Sequence, residues 1–108
     1  MNMYSYNCCN NKTTESEKIL SQLALIKLLS DKNRLQILCI LTSESHCVSE
    51  LIHHLQASQS LVSHHLITLK KLQLVTARKS GRHVFYSLTK KGTYVVKLLK
   101  ILSTKEAA

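Results

Sequence analysis

The stretch from residue 58 to residue 72 restricts the fold of this chain more than any other. It reads S-Q-S-L-V-S-H-H-L-I-T-L-K-K-L, and its apolar residues recur with the period of an α-helix. The side predicted to be buried carries Leu61, Val62, Leu66, Leu69 and Leu72. The opposite side has no carboxylate and carries Ser60, Ser63, His64, Lys70 and Lys71. A serine at the N-cap satisfies a free backbone N–H, so Ser58 is predicted to begin the helix. Because a helix about 10–12 Å wide fits the major groove of B-DNA, the stretch predicts a DNA-recognition helix.

The charges of the chain are unevenly distributed. Between Leu51 and Lys105 there is no aspartate or glutamate, whereas ten lysines and arginines are present, and the formal net charge of the 108 residues is +9. A basic half without compensating acids favours a polyanionic partner, most commonly nucleic acid. An anionic membrane surface is the weaker alternative, because the basic residues are not gathered on one amphipathic helix.

Length and composition predict one mainly helical domain, since the chain has no proline and only two glycines. No apolar run approaches the 18 or so residues of a membrane span, and the N-terminus lacks a signal-peptide pattern. We therefore expect a cytoplasmic protein with no membrane partner and with its four cysteines reduced. Paired carboxylates, a nucleophile elbow and a phosphate-binding glycine loop are missing from the sequence, so we expect no enzyme and no catalytic residue.

The remaining segments predict the elements around the recognition helix. Residues 1–13 have no periodicity and are predicted to form a flexible arm, followed by one domain over residues 14–108. Other helices are predicted from Thr14 or Ser16 to about Ser30, from an N-cap at Asp31 to about Thr42, from Val48 to Leu55, and from Lys90 to about Ser103, with a polar loop at 43–47. After Leu72 the period changes toward 2, which predicts strands over 74–79 and 84–88.

These elements have the order of a helix-turn-helix followed by a wing. The helix ending at Leu55 would brace the recognition helix, and the hairpin would reach phosphates or the adjacent minor groove. The first and last helices are more apolar than a small domain can cover. Excess apolar surface marks an interface, and two-fold symmetry matches a DNA palindrome, so we expect a homodimer.

Four segments carry a family resemblance. They read L-S-D-K-N-R-L-Q-I-L-C-I-L, C-V-S-E-L, S-Q-S-L-V-S-H-H-L-I-T-L-K-K-L-Q-L-V and G-R-H-V-F-Y-S-L. Over roughly residues 25–102 the chain resembles the winged-helix repressors of the arsenic-repressor type, the ArsR/SmtB family. The resemblance implies a mainly α winged helix-turn-helix with five helices, a small β-hairpin before the last helix, and a homodimer formed through the first and last helices. It also implies repression at an inverted-repeat operator in double-stranded DNA, relieved by an effector.

The resemblance also assigns DNA contacts by position. Bases would be contacted by Gln59, Ser60, Ser63 and His64, phosphates by Lys70 and Lys71, and the wing contacts would come from Arg78 and Arg82. The sequence departs from the family at Ile67, where lysine is frequent, and at Gln73, where glycine is usual. His65 falls on the apolar side of the helix and is expected to be a core or edge residue.

The cysteines leave the regulating signal open. In metal sensors of the family, a cysteine pair at the start of the third helix joins N-terminal cysteines. Here Cys47 matches the first of that pair, Ser49 replaces the second, and Cys8 and Cys9 could complete a soft-metal site. In sulfur or redox sensors of the family, a cysteine placed like Cys39 pairs with one in the last helix, which has none here.

Other interpretations of these residues remain. Cys39 could react alone, pair with Cys8 or Cys9, or be a buried inert thiol, and the nearby His46, His53 and His54 are treated as coincidence. No cofactor is required; a soft metal ion or a thiol modification would act as inducer. The alternatives are a regulator without a small-molecule inducer and a nonspecific basic nucleoid-type DNA-binding protein.

Overall fold

A computed structural model describes residues 13–104, and the chain divides into two units, one up to Ser30 and one from Asp31 onward. The first unit contains α1 (Thr13–Leu20) and α2 (Leu23–Leu29). The second contains α3 (Lys32–Ile40), β1 (His46–Cys47), α4 (Val48–Leu55), α5 (Gln59–Lys71), β2 (Val75–Ser80), β3 (His83–Leu88) and α6 (Lys90–Leu102). No helix in the described range has the length and apolar character to cross a bilayer. The predicted arm falls outside that range except for Thr13.

The first helix is interrupted, so the prediction of one continuous helix from Thr14 or Ser16 to Ser30 was wrong. Ser21 Oγ donates a hydrogen bond to the carbonyl oxygen of Lys18 at 2.7 Å. The backbone N–H of Gln22 then bonds to the carbonyl of Ile19, three residues earlier, at 3.0 Å. A serine hydroxyl that bonds to its own helix competes with the backbone ladder and bends the helix.

The core of the second unit is apolar and receives side chains from its helices and its sheet. The fully buried residues are Ile37 and Leu38 of α3, Leu51 of α4, Val62, Leu66 and Leu69 of α5, and Leu74 at the start of the wing. Each such side chain stabilises the fold by about 1.5–3 kcal/mol relative to its exposed state. The core therefore fixes α5 by its apolar face and leaves its polar face outside.

Leu61 departs from the predicted buried face, since 39% of its surface is exposed. The buried stripe of α5 is centred on Val62 and Leu69, and Leu61 lies about 100° from Val62 around the helix. Leu72, also assigned to that face, is half-buried. His65 lies within the stripe at 4% exposure, which confirms its assignment to the core.

The sheet has one strand more than the predicted hairpin. Residues 43–47 were expected to form a loop, but His46 pairs with Tyr86 and Cys47 with Phe85, so the antiparallel order is β1-β3-β2. A strand of two residues is too short to show alternation in the sequence. The hairpin itself is confirmed, with Ser80 opposite His83 and Gly81 at a φ of +62°, as a two-residue turn beginning with glycine requires.

The turn between α5 and the wing forms without the glycine that the family usually has there. Gln73 adopts the left-handed conformation with a φ of 63°. Its N–H bonds to the carbonyl of Lys70 at 2.9 Å, and the N–H of Leu74 bonds to the carbonyl of Leu69 at 3.0 Å. These two bonds are those of a Schellman motif, so the helix ends as it would with glycine.

Candidate nucleic-acid interface

The two helices of the predicted helix-turn-helix are joined by a short turn. Gln56 ends α4 in the left-handed conformation with a φ of 53°, and its N–H bonds to the carbonyl of Ile52 at 2.8 Å. Two residues later, Ser58 Oγ accepts a hydrogen bond from the N–H of Leu61 at 3.2 Å. The predicted N-cap is therefore confirmed, and the turn directs α5 across α4 without a glycine.

The outward face of α5 is polar at its start and cationic at its end. Gln59, Ser60, His64, Lys70 and Lys71 are exposed, and Ser63 is half-buried. Because α5 carries no acidic residue, this face presents hydrogen-bonding groups and positive charge but no negative charge. Ile67, at 56% exposure, lies in the middle of the face.

The tip of the wing and the start of α5 share one groove. Gln59 lines this groove together with Arg82 and His83, which belong to the hairpin turn and the first residue of β3. Arg82 is exposed, as its predicted role requires. Arg78 is also exposed but lines a different groove, beside Phe85 and Ser87. The structure therefore brings Gln59 and Arg82 together and places Arg78 elsewhere on the sheet.

His65 connects the recognition helix to the start of α3. Arg34 Nε donates a hydrogen bond to His65 Nδ1 at 3.0 Å, and His65 Nε2 lies 3.8 Å from Asp31 Oδ1. Since Nδ1 accepts, the neutral ring carries its proton on Nε2, on the side of Asp31. Burial lowers the pKa of His65; the attraction of Asp31 opposes this, whereas Arg34 and His64 lower the pKa further.

Asp31 is also the N-cap of α3, as the sequence predicts. Its Oδ1 accepts hydrogen bonds from the N–H of Asn33 at 2.8 Å and of Arg34 at 3.2 Å. Partial burial raises the pKa of the carboxyl, but those two bonds and the charges of His65 and Arg34 outweigh it, so the pKa is lowered. The contact of Arg34 with His65 was not predicted, because residues 31 positions apart have no periodic relation in the sequence.

The described cysteines differ in exposure. Cys39 is exposed, so of the three interpretations of this residue, burial of the thiol was wrong. It lies in a groove with Leu35 of its own helix and Leu99 and Ser103 at the end of α6, at the edge of the core. Cys47 is buried at 7% exposure, and its Sγ lies 3.2 Å from Ser49 Oγ.

Metal ligation finds little support among the described residues. Between residues 13 and 104, no three histidine, cysteine, aspartate or glutamate side chains are close enough to hold an ion together. The ring of His54 meets those of His46 and His53 edge to face, with centroids 5.5 Å and 6.2 Å apart, but these three rings are not arranged to hold an ion together. Cys8 and Cys9, the predicted arm ligands, lie outside the described residues.

The fold agrees with solved structures of regulators. The transcriptional regulator HlyU from Vibrio vulnificus CMCP6 is 36% identical, with a TM-score of 0.74 over 87% of this chain and 99% of that chain. A homodimeric winged helix-turn-helix DNA-binding domain from Mycobacterium bovis is 26% identical, with a TM-score of 0.70 over 82% of this chain and 83% of that chain. A braced helix with a polar outer face, followed by a β-hairpin, defines this protein as a winged helix-turn-helix domain.

Sequence comparison assigns the family. The family described as "Bacterial regulatory protein, arsR family" matches residues 31–77. The arsenical resistance operon repressor of Staphylococcus xylosus is 37% identical over 83 residues, which cover 76% of this chain and 80% of that relative. The chain belongs to the arsR family, as the resemblance in the sequence implied. It is a DNA-binding transcriptional regulator, and the family is one of regulators, not of enzymes.

Proposed function

We propose that this protein is a cytoplasmic homodimeric repressor that binds an inverted-repeat operator through α5 and the wing. The single observation that supports it best is the groove that Gln59 shares with Arg82 and His83, because it directs a helix start and a wing tip toward one ligand. The exposed face of α5 between them carries no negative charge. A DNA duplex presents a major groove and a flanking minor groove that such a surface fits.

Each predicted contact has a chemical role in this proposal. Gln59, Ser60, Ser63 and His64 offer hydrogen-bond donors and acceptors to base edges, and Ile67 offers an apolar contact to a thymine methyl group. Lys70 and Lys71 neutralise phosphates, which gives affinity without sequence information. Arg82 extends the contact from the wing. Arg78 would bind phosphate farther out on the sheet, since it lines a separate groove.

Exposed apolar side chains support the dimer. In the first unit, the most exposed of them are Ile19 at 69%, Leu20 at 67% and Ile26 at 58%. In the second unit, α6 exposes Tyr94 at 66%, Ile101 at 61% and Leu102 at 73%. Apolar surface exposed to this extent is covered by a partner in stable proteins. The related Mycobacterium domain is described as homodimeric, so we assign these helices to a second copy of the chain.

Selection from a random duplex library, followed by footprinting, tests the proposal. We expect recovery of an inverted repeat whose half-site centres lie about one helical turn, roughly 34–36 Å, apart. Affinity should fall steeply with salt because each neutralised phosphate releases counterions. A footprint without sequence preference would instead indicate a nonspecific nucleoid-type protein. Sedimentation of the free protein as a monomer at micromolar concentration would contradict the dimer.

A thiol-directed signal is the second part of the proposal. Cys39 is exposed beside α6, a helix assigned above to the dimer interface, and the Staphylococcus relative is named an arsenical resistance repressor. A soft metal ion, a metalloid or an oxidant that reacts there would alter the packing of α6. The alternative is a soft-metal site whose ligands are Cys47 and the arm cysteines Cys8 and Cys9.

Operator affinity with and without Cd(II), arsenite, peroxide or polysulfide tests the signal. We expect one of them to weaken binding of the wild type, and Cys39→Ser to abolish that response while Cys47→Ser retains it. The reverse pattern would show that Cys47, and not Cys39, senses the inducer. Unchanged affinity under every condition would leave a regulator without a small-molecule inducer.

A further inference from the structure

We propose that Arg34 and His65 position the recognition helix for DNA, and that they do so only while the His65 ring is neutral. This inference rests on the proposed contact of α5 with DNA. It adds two positioning residues that do not themselves touch the ligand. It also gives the regulator a dependence on pH that the operator contacts alone would not produce.

The geometry makes this contact a direct polar link between α5 and the start of α3. His65 is 4% exposed and lies in the buried stripe of α5, next to Leu66 and Leu69. Apolar contacts are non-directional and leave a helix free to rotate slightly about its axis, whereas a hydrogen bond fixes that rotation. The bond from Arg34 Nε at 3.0 Å supplies the fixed point. Because His64 is the next residue on the same helix, the rotation that orients His65 also sets the direction of His64.

Protonation of His65 breaks the hydrogen bond from Arg34 that fixes the rotation of α5. A charged imidazole carries hydrogen on both nitrogens, so Nδ1 could no longer accept from Arg34, and two donors would face each other. The charges would also repel, since a guanidinium remains protonated at every relevant pH.

The charged surroundings of His65 favour the neutral ring. Among the described residues, the groups that act on its charge are Asp31 and Arg34 at the start of α3 and His64 on its own helix. Only Asp31 favours the charged form, and its Oδ1 lies 3.8 Å away and is already engaged by two backbone N–H groups. The lowered pKa of His65, caused first by burial, agrees with a ring that stays neutral at pH 7.

The expected effect of His65 on the pH dependence has the opposite sign to that of positive charge gained on the proposed DNA face. Any positive charge added to that face at acid pH strengthens binding, because it neutralises phosphates. Protonation of His65 releases the helix and weakens binding. Comparison with a variant that cannot be protonated at position 65 therefore separates the two effects.

The experiment measures affinity for the duplex recovered by selection, between pH 7.5 and pH 5, for the wild type, His65→Asn and His65→Leu. Asparagine places an oxygen near the position of Nδ1 and cannot gain a proton, so His65→Asn should bind within a few-fold of wild type at pH 7.5. The ratio of wild-type to His65→Asn affinity should then fall by up to about tenfold per pH unit below the pKa of His65.

A second variant, His65→Leu, keeps the volume of the side chain but leaves Arg34 Nε without this acceptor. Its affinity for the duplex should be about tenfold weaker than that of the wild type at pH 7.5. His53→Asn, on an exposed residue of α4, is the matched control and should follow the wild-type profile.

Parallel pH profiles for wild type and His65→Asn, followed down to the pH at which NMR shows the His65 ring to be protonated, would overturn the proposal, and so would equal affinities of His65→Leu and wild type at pH 7.5. Nitrogen NMR of the free protein gives a readout that needs no DNA. It should show the proton of His65 on Nε2 at pH 7, and a proton on Nδ1 would contradict the inference. If selection recovers no operator, the proposed function fails, while the tautomer still decides whether the Arg34–His65 link exists.

Discussion

Thr89 Oγ1 donates a hydrogen bond to the backbone carbonyl of Gln73 at 2.6 Å, across a separation of 16 residues. The same oxygen accepts from the N–H of Gly92 at 3.0 Å, so it is also the N-cap of α6. The backbone N–H of Thr89 bonds to the carbonyl of Leu74 at 3.0 Å. Through these three hydrogen bonds, Thr89 connects the end of the wing and the start of α6 to the turn that ends the recognition helix.

We therefore expect Thr89→Val to destabilise the domain by about 1–2 kcal/mol, because valine keeps the shape but cannot form either side-chain bond. Urea denaturation followed by circular dichroism measures this change. Thr93→Val, on an exposed residue of the same helix, is the matched control and should change stability by less than about 0.5 kcal/mol. Equal effects of the two substitutions would show that the Thr89 hydroxyl does not stabilise the fold.

Gln73→Gly should stabilise the domain by about 0.5–1 kcal/mol, because glycine adopts the left-handed conformation without the strain that a side chain has there. Gln73 has a φ of 63° and is exposed, so no packed side chain is removed. The control is Gln36→Gly in the middle of α3, at another exposed glutamine, where glycine should destabilise by about 1 kcal/mol. A destabilising Gln73→Gly would mean that the glutamine side chain contributes more than the strain costs.

The sequence predicted those parts of the fold in which a local pattern determines the structure. The caps at Asp31 and Ser58 were predicted because a polar side chain directly before an amphipathic stretch can accept a hydrogen bond from a free backbone N–H at the start of the helix. β1 was missed because its two residues join β3 through a pairing of distant segments. The break at Ser21 was missed because a serine inside a helical pattern does not reveal whether it bonds to its own backbone.

In the candidate site, too, the features that depend on a local pattern were predicted, and those that depend on distant contacts were not. Periodicity predicted the exposed face of α5 and the burial of His65, since both follow from position around one helix. The groove that Gln59 shares with Arg82 depends on how the wing packs beside the helix. The acceptor for Arg34 and the exposure of Cys39 depend on contacts between α3 and elements far along the chain, so no local pattern contains them.

Substitutions in α5 and in the wing should have different effects on DNA binding. Ser63→Ala and His64→Ala should reduce the preference for the selected sequence, because a good hydrogen-bonded contact to a base edge contributes about 1–3 kcal/mol of discrimination. Arg82→Ala should weaken all duplexes similarly and reduce the slope of log affinity against log salt by about 0.9 for each phosphate that is no longer neutralised. Titrations at several salt concentrations measure both effects, and Lys97→Ala, an exposed lysine of α6, is the charge control. A reversed pattern would exchange the assigned roles of helix and wing.

Stability should depend on pH through His65. Its folded pKa is lowered from the ordinary value of 6.5, first by burial, so above pH 6.5 the ring is neutral in both the folded and the unfolded chain and its contribution is complete. As the pH falls below 6.5, the unfolded chain binds the proton first, and stability is lost until the pH passes the lower folded pKa.

Asp31 adds a separate loss in more acid solution, because its pKa is lowered from 3.8: its contribution is present above that value and is lost below it. Thermal unfolding between pH 7.5 and pH 3 measures both losses. His65→Asn should flatten the curve just below pH 6.5 and leave the loss below pH 4 in place. A wild-type slope that persists in His65→Asn would assign the first loss to other histidines.

The two described cysteines should differ in their reaction with iodoacetamide. Cys39 is exposed, whereas Cys47 is 7% exposed and is the N-cap of α4, so we expect local opening to limit the reaction of Cys47. In a chain with Cys8→Ser and Cys9→Ser, peptide mapping at neutral pH should show Cys39 alkylated faster by on the order of tenfold or more, because local opening costs free energy. In 8 M urea, about the strength that unfolds small domains, the two rates should become similar. Equal rates in the folded protein would mean that the strand holding Cys47 opens freely, which would make Cys47 as accessible to an inducer as Cys39.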